Sequence, residues 1–192
     1  MRKVIVSMNV TLNGCMAGPN GELDWHYTRW GDDMARATSM QLGQADTILL
    51  GRVTYQAMAG YWAVKARDQS GPREDVDFAD MMNSYTKIVF SKTLVKAGGW
   101  QNTRLAKRNI AREVMELKHS PGRDIIIYGS GKLVAALSKL GLVDEYRLWV
   151  HPLVINKGRP LFKGLSADLK FIGKTTFNSG VVLMSYRYTP NV

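Results

Sequence analysis

The chain has 192 residues, room for one ordinary domain at roughly 100–200 residues each. Its 45% hydrophobic and 22% charged residues and its 18 glycines exclude disorder, collagen and coiled coil. The single cysteine, Cys15, excludes a disulfide framework and a cysteine-based zinc cluster and fits a reducing cytoplasm. The net charge of +10 is unevenly spread, with ten Lys/Arg against three Asp/Glu in residues 92–140. Such a field suits nucleic acid, an anionic membrane or a phosphorylated small molecule.

In chain order, Val4-Ile5-Val6 opens a strand, and Ser7, Asn9, Thr11 and Asn13 make the segment too polar for a signal-peptide core. No apolar run reaches the ~18–20 residues needed to span a bilayer, so a soluble, unexported protein is expected. The glycine- and asparagine-rich residues 13–21 predict a long irregular loop. A helix over 32–44 follows, with Asp32 as its cap and Met34, Ala37, Thr38 and Leu42 on one face. Thr47 to Leu50 is a buried strand ending at Gly51, and residues 65–77 are charged and exposed. A helix near 78–84, the strand Lys87 to Phe90, a helix over 106–117 and the strand Ile125 to Tyr128 come next. Gly129-Ser130-Gly131 leads into a helix over 132–140 that stops at Gly141. The last third holds strands at 146–150, 169–177 and 181–188, the final two joined as a hairpin at Asn178-Ser179-Gly180. This order predicts one α/β domain: a mixed sheet with central parallel strands flanked by helices and an antiparallel carboxyl-terminal hairpin.

Two strands end in glycine turns that enter helices, Gly51-Arg52-Val53-Thr54-Tyr55 and Gly129-Ser130-Gly131-Lys132. Ligands of open α/β sheets sit at the carboxyl ends of strands, where helix amino termini favour anions. Each turn pairs a close-approach glycine with a cation and a hydroxyl, as phosphates require. Neither is a full dinucleotide or P-loop fingerprint, since Val134 stands where a third glycine belongs and Leu133 follows the lysine. A third turn, Ser91-Lys92-Thr93, follows the intervening strand. Together they point to a ligand with several phosphates, although tight structural turns are the simpler explanation of either glycine turn alone.

The order Val6 to Gly14, Ala17-Gly18-Pro19, Asp24-Trp25, Leu50 to Tyr55 and Lys87 to Leu94 resembles the dihydrofolate reductase superfamily over nearly the whole chain. Tyr128-Gly129-Ser130-Gly131 and Gly158 to Phe162 are closer to the reductase domain of the bifunctional riboflavin-biosynthesis deaminase-reductase. The resemblance implies NADPH as hydride donor, with Gly51, Arg52 and Val53 in the turn that meets it. Arg52 would grip the 2′-phosphate near Ser91, Lys92 and Thr93, and Thr54 would hold the pyrophosphate. Gly129, Ser130, Gly131 and Lys132 would cradle its other side, with Ala17 and Gly18 lining the nicotinamide. It also implies a proton donor near the first helix, for which Asp24, Asp32 and Asp33 are the candidates. A helix cap or solvated first-turn acid is the plainer role for Asp32 and Asp33.

Departures put the riboflavin-pathway substrate in question. Thr11-Leu12-Asn13-Gly14-Cys15 lacks the acid and lysine of that branch's loop, and Tyr128 replaces its glutamate. The His-x-Glu and Pro-Cys-x-x-Cys of a deaminase half are absent. Trp25, Met58 and Tyr128 are candidates to meet a small pterin- or pyrimidine-type heterocycle, and Met8, Met34, Met40 and Met58 read as core or pocket filler. His26, His119 and His151 share no metal-ligand spacing, and no Gly-x-Ser-x-Gly elbow occurs. Family resemblance and the β-rich tail suggest a homodimer. The alternative is a non-catalytic phospholigand or nucleic-acid binding module, but residues 92–140 hold only Trp100 and Tyr128 as aromatics.

Overall fold

The structure, a computed structural model, describes residues 1–65 and 73–189. Its elements are β1 (Val4–Thr11), β2 (Cys15–Ala17), a 3-10 helix (Asp24–Arg29), α1 (Asp32–Gly43), β3 (Ala45–Gly51), α2 (Arg52–Lys65), α3 (Arg73–Ser84), β4 (Thr86–Phe90) and β5 (Thr103–Leu105). They continue with α4 (Ile110–His119), β6 (Asp124–Ile127), α5 (Gly131–Lys139), β7 (Glu145–His151), β8 (Arg159–Pro160), β9 (Asp168–Thr176) and β10 (Val182–Thr189). Eight strands form one sheet in the order β5-β4-β3-β6-β1-β7-β10-β9. Pairing is parallel from β5 to β7 and antiparallel for β7–β10 and β10–β9. The predicted parallel centre and antiparallel carboxyl-terminal hairpin are both present.

The central strands are covered on both faces, which is why they read as continuous apolar runs rather than alternating ones. Ile125, Ile126 and Ile127 are all fully buried. On one face Val4, Val6, Ile125, Ile127 and Leu49 pack under Val114 of α4 and Leu133, Val134 and Leu137 of α5. On the other, Ile48, Leu50, Val89 and Ile126 meet Leu42 of α1, Tyr55 of α2 and Met82 of α3. A third cluster of Met34, Trp149, Phe177 and Val181 joins the start of α1 to the carboxyl-terminal hairpin.

Several local expectations change. Residues 13–21 are not wholly irregular, because β2 pairs with β8, Cys15 opposite Pro160 and Ala17 opposite Arg159. Gly158 lies so close to Cys15 that an added Cβ would stand 2.8 Å from its Cβ and Sγ. Helix α1 is capped by Gly31, not Asp32, and no side chain closes the cap. Asp33 instead accepts from the backbone N–H groups of Met34 and Asn178, both at 2.9 Å, pinning α1 to the β9–β10 turn. Met40 is 75% exposed, because burial of Met34, Thr38 and Gln41 on one helix face turns it outward. Helix α4 begins at Ile110 rather than 106, since Asn109 caps it by accepting from Arg112 N–H at 2.9 Å. Upstream, Ala106 N–H donates to the Val89 carbonyl and extends the β4–β5 pairing. Most of the charged segment expected over 65–77 lies outside the described residues.

Four of the ten cations in the basic stretch 92–140 are paired with carboxylates within the fold. Arg104 meets Glu113 at 2.5 Å, Arg108 and Arg112 meet Glu116 at 2.9 and 3.2 Å, and Lys118 meets Asp144 at 2.6 Å. Its aromatic Trp100 is buried against Tyr55, with ring centroids 6.5 Å apart.

Lys87 opens the apolar part of β4 yet is fully buried. Its ammonium donates to the carbonyls of Met82, Asn83 and Tyr85 at 2.7–3.0 Å and lies 4.8 Å from the Trp100 ring centroid. It thereby closes the carboxyl end of α3, whose last carbonyls lack helical partners. Burial lowers its pKa to about 8, still above neutrality, so all three hydrogens remain to be given. Lys87→Met orphans the Met82 and Tyr85 carbonyls, Asn83 keeping the Asn102 amide at 3.2 Å, and is expected to cost about 2–4 kcal/mol. In denaturant titration this lowers the midpoint and leaves the slope unchanged.

Candidate functional site

Strands β4, β3, β6 and β1 are consecutive in the sheet and mutually parallel, so their carboxyl ends form one edge. The three turns singled out in the sequence all leave from that edge. Gly51 N–H donates to the Gly129 carbonyl at 3.0 Å, and a side chain at Gly51 would collide with Ser130. Gly129 has φ 125°, and an added Cβ would stand 3.0 Å from Thr54 Oγ1. The Gly129–Ser130 peptide is cis. Two helix amino termini, α2 at Arg52 and α5 at Gly131, therefore open beside each other and present unpaired N–H groups where an anion is favoured.

The side chains about these turns are mostly exposed. Arg52 donates to Gln56 Oε1 at 3.1 Å, one turn along α2, and Val53 is 63% exposed. Ser91 Oγ accepts from the N–H groups of Thr93 and Leu94 at 3.1 and 2.9 Å, which fixes the third turn and leaves the hydroxyl proton to give. Lys92, Thr93 and Lys132 are exposed. Ala17 and Gly18 are buried at the end of β2. Gly18 lies under the Glu22 carboxylate, whose pKa is lowered by hydrogen bonds from its own backbone and Asn20. Met16 lies against Gly131 and links the first loop to the start of α5. Glycine-only contacts around paired helix ends fit a pyrophosphate, and Arg52 and Lys92 supply cations on the same side.

Beside these turns, β1 and β7 run on to Thr11 and His151, which pair with each other, whereas β6 stops at Ile127 opposite Val6. The projecting strands carry a polar face toward α1 and the 3-10 helix. Trp149 Nε1 donates to Ser7 Oγ at 3.1 Å, and Ser7 donates to Gln41 Oε1 at 2.9 Å. Farther along, His151 Nε2 lies 2.9 Å from Asn9 Oδ1. The His151 ring meets Trp25 edge-on, with centroids 5.1 Å apart, and His26 at 6.3 Å.

Five buried polar atoms among the described residues have no hydrogen-bond partner: His26 Nδ1, Thr38 Oγ1, Gln41 Nε2, Tyr128 O–H and His151 Nδ1. Burial pushes the Tyr128 hydroxyl pKa up, and burial lowers that of His26. Buried polar groups are paired in the great majority of native positions, so unpaired atoms on neighbouring elements mark this face as one built for something other than packing. Two depressions of about 450 and 290 Å³ lie at the opposite end of the strands, around Arg2 and Lys118 and around Lys3 and Asp144, and include no candidate site residue.

Of the carboxylates, Asp24 and Asp32 are exposed and Asp33 is held by the two backbone N–H groups. Trp25 is half-buried against His151, whereas Met58 and Tyr128 pack together with the cluster beneath α2. Ser7, Gln41, Thr38, His26 and His151 were not singled out as site residues in the sequence. The available signal was the spacing of Ser7, Asn9 and Thr11, which puts polar groups on one face of an otherwise apolar strand.

This sheet, with paired glycine turns at its carboxyl edge, has a dihydrofolate-reductase-like fold. Residues 2–183 match the RibD C-terminal domain, and the chain belongs to that family. It is 36% identical over 189 residues to the uncharacterized protein YyaP of Bacillus subtilis (strain 168), covering 97% of this chain and 95% of that one. A solved structure from Shewanella sp. PV-4, described as a riboflavin biosynthesis protein, is similar with a TM-score of 0.75 at 20% identity, over 97% of this chain and 99% of that one. Dihydrofolate reductase from Enterococcus faecalis complexed with NADP(H) is similar at 0.61 and 11%, over 97% and 96%. At these identities the two solved structures establish the fold.

His151 gives the site a pH dependence. Its buried ring has a pKa lowered to about 4, first by burial and then by the charges of His26 and Arg29. Between about pH 4 and the ordinary 6.5 the unfolded chain holds a proton that the folded one does not, so stability is lost as pH falls through that window. The loss is about 3 kcal/mol at most. Urea titrations at pH 7 and 4.5 are expected to show it, and His151→Gln to flatten it.

Proposed function

We propose that this protein is an NADPH-dependent reductase that delivers hydride to a C=N or C=C bond of a small heterocycle of pterin or pyrimidine type. The observation that carries the reading is the contact between Gly51 and the Gly129-Ser130-Gly131 turn, which sets two helix amino termini side by side. The nearest reactions are those of 5-amino-6-(5-phosphoribosylamino)uracil reductase and dihydrofolate reductase. NADPH would supply the hydride. Arg52 would hold its 2′-phosphate with Ser91, Lys92 and Thr93, while Thr54 and residues 129–132 hold the pyrophosphate and Ala17 and Gly18 border the nicotinamide.

The substrate would lie against α1 and the projecting ends of β1 and β7, beside Trp25, Met58 and Tyr128. A proton must reach the substrate atom that does not take hydride. Asp24 and Asp32 are the exposed carboxylates near this face, and Asp33 serves to position α1. The setting is cytoplasmic, in keeping with one buried thiol, Cys15. Internal pairing of Arg104, Arg108, Arg112 and Lys118 favours this reading over a nucleic-acid or phospholigand binding module.

Calorimetry with NADPH and NADH tests the cofactor. Arg52→Ala is expected to weaken NADPH binding about ten- to a hundredfold, the worth of a charge-assisted pair, and to leave NADH nearly unchanged. Equal losses for both cofactors would remove the 2′-phosphate assignment.

We further propose a homodimer formed through the β9–β10 end of the sheet. There Phe171 is 50% and Ile172 39% exposed, and the edge strand β9 has no neighbour on its outer side. Light scattering is expected to give twice the chain mass, falling to one chain in Phe171→Glu. A monomeric wild type would refute the dimer.

A further inference from the structure

We propose that the Gln41 side-chain amide is a specificity-determining group that selects heterocycles presenting a ring carbonyl oxygen over those presenting an exocyclic amine at the same position. The inference rests on the reductase reading above.

The indole N–H of Trp149 can only donate, and it donates to Ser7 Oγ at 3.1 Å. Ser7 then directs its proton to Gln41 Oε1 at 2.9 Å. With Trp149 donating to Ser7, the Ser7 proton is free for Gln41 Oε1, and in this arrangement both hydrogens of Nε2 point elsewhere. Gln41 is only 5% exposed, and Nε2 is buried with no partner. Thr38, three residues earlier on the same face of α1, is 7% exposed and has an unpaired hydroxyl as well.

The place of these groups points to a ligand. Ser7 and Tyr128 each follow one residue after the Val6–Ile127 pair of the parallel β1–β6 ladder, and Tyr128 directly precedes Gly129 of the cofactor turn. The relay therefore reaches the sheet level where the two halves of the site adjoin. An unpaired buried donor is costly, and a carbonyl oxygen is the acceptor that a fixed amide N–H satisfies. An amine at that position would set hydrogens against hydrogens, and sites built to hydrogen-bond a substrate reject analogues that leave them unpaired. Thr38 can donate or accept and adds no such bias.

Two matched probes test this on the NADPH-loaded protein: 2-amino-6-methylpyrimidin-4-one and 2,4-diamino-6-methylpyrimidine, titrated calorimetrically. The wild type is expected to bind the 4-oxo probe at least about tenfold more tightly. Gln41→Glu places an acceptor where the donors were, and the preference is expected to reverse. Ser7→Ala releases the amide to turn, and the ratio is expected to move toward one, so the inference stays testable if Gln41→Glu does not fold. NADPH affinity, measured on each protein first, reports an intact cofactor half. Equal or absent binding of the two probes with NADPH bound overturns the inference alone, as does a wild-type ratio that persists in Ser7→Ala and in folded Gln41→Glu. Wild-type protein that binds no NADPH overturns the reductase reading and the inference with it.

Discussion

The Gly51 N–H reaches the Gly129 carbonyl at 3.0 Å, and the geometry of the whole cleft depends on that contact. A side chain at Gly51 would strike Ser130, and one at Gly129 would crowd Thr54 from a backbone with φ 125°, a conformation that glycine adopts most readily. Glycine at both places brings the end of β3 against the turn that follows β6, so that α2 and α5 start beside each other. Partial positive charge at a helix end fades within a turn, so two ends act on one ligand only when adjacent. The early end of β6 leaves β1 and β7 projecting beyond their neighbour, which exposes the flank carrying Ser7, Asn9 and His151.

That flank departs from the packing logic of the remaining sheet. Val4, Val6, Met8 and Val10 face the apolar cluster under α4 and α5, while Ser7, Asn9 and Thr11 alternate with them toward the opposite side. A stable sheet would place aliphatic residues there too. Instead the polar groups form bonds that span the chain: Trp149 to Ser7 and His151 to Asn9 are each 142 residues apart in sequence. Such bonds orient side chains, yet they leave Gln41 Nε2 and His151 Nδ1 unpaired. Natural sequences break local consistency mostly at functional sites, and here the break coincides with the carboxyl edge of the sheet.

Legibility in the sequence followed the range of the interactions involved. Buried parallel strands announce themselves as apolar runs such as Ile125 to Ile127, and Gly51 and Gly129 announce turns, because both signals are local. The β2–β8 pairing escaped notice since it has two registered positions, between segments about 140 residues apart. Acids favour the cap position and so point to Asp32, but Gly31 occupies it and Asp33 turns to Asn178, a contact that the hairpin creates. The glycine turns are legible as motifs, whereas the relay through Ser7 to Gln41 depends on which residues the fold brings together.

Charge completes the division of labour. A net charge of +10 would spread a diffuse positive field, but Glu113, Glu116 and Asp144 pair Arg104, Arg108, Arg112 and Lys118. Arg52, Lys92 and Lys132 have no carboxylate partner among the described residues, and all three stand at the glycine-turn side of the edge. On the opposite side, His151 is uncharged at neutral pH, because burial above all lowers its pKa to about 4. One half of the edge therefore offers cations and helix ends, and the other carries the hydrogen-bonded side chains of Ser7, Gln41, Asn9 and His151. In the proposed reductase, that asymmetry would assign the cofactor's phosphates to the first half and leave the second to recognise a substrate by the pattern of its hydrogen bonds.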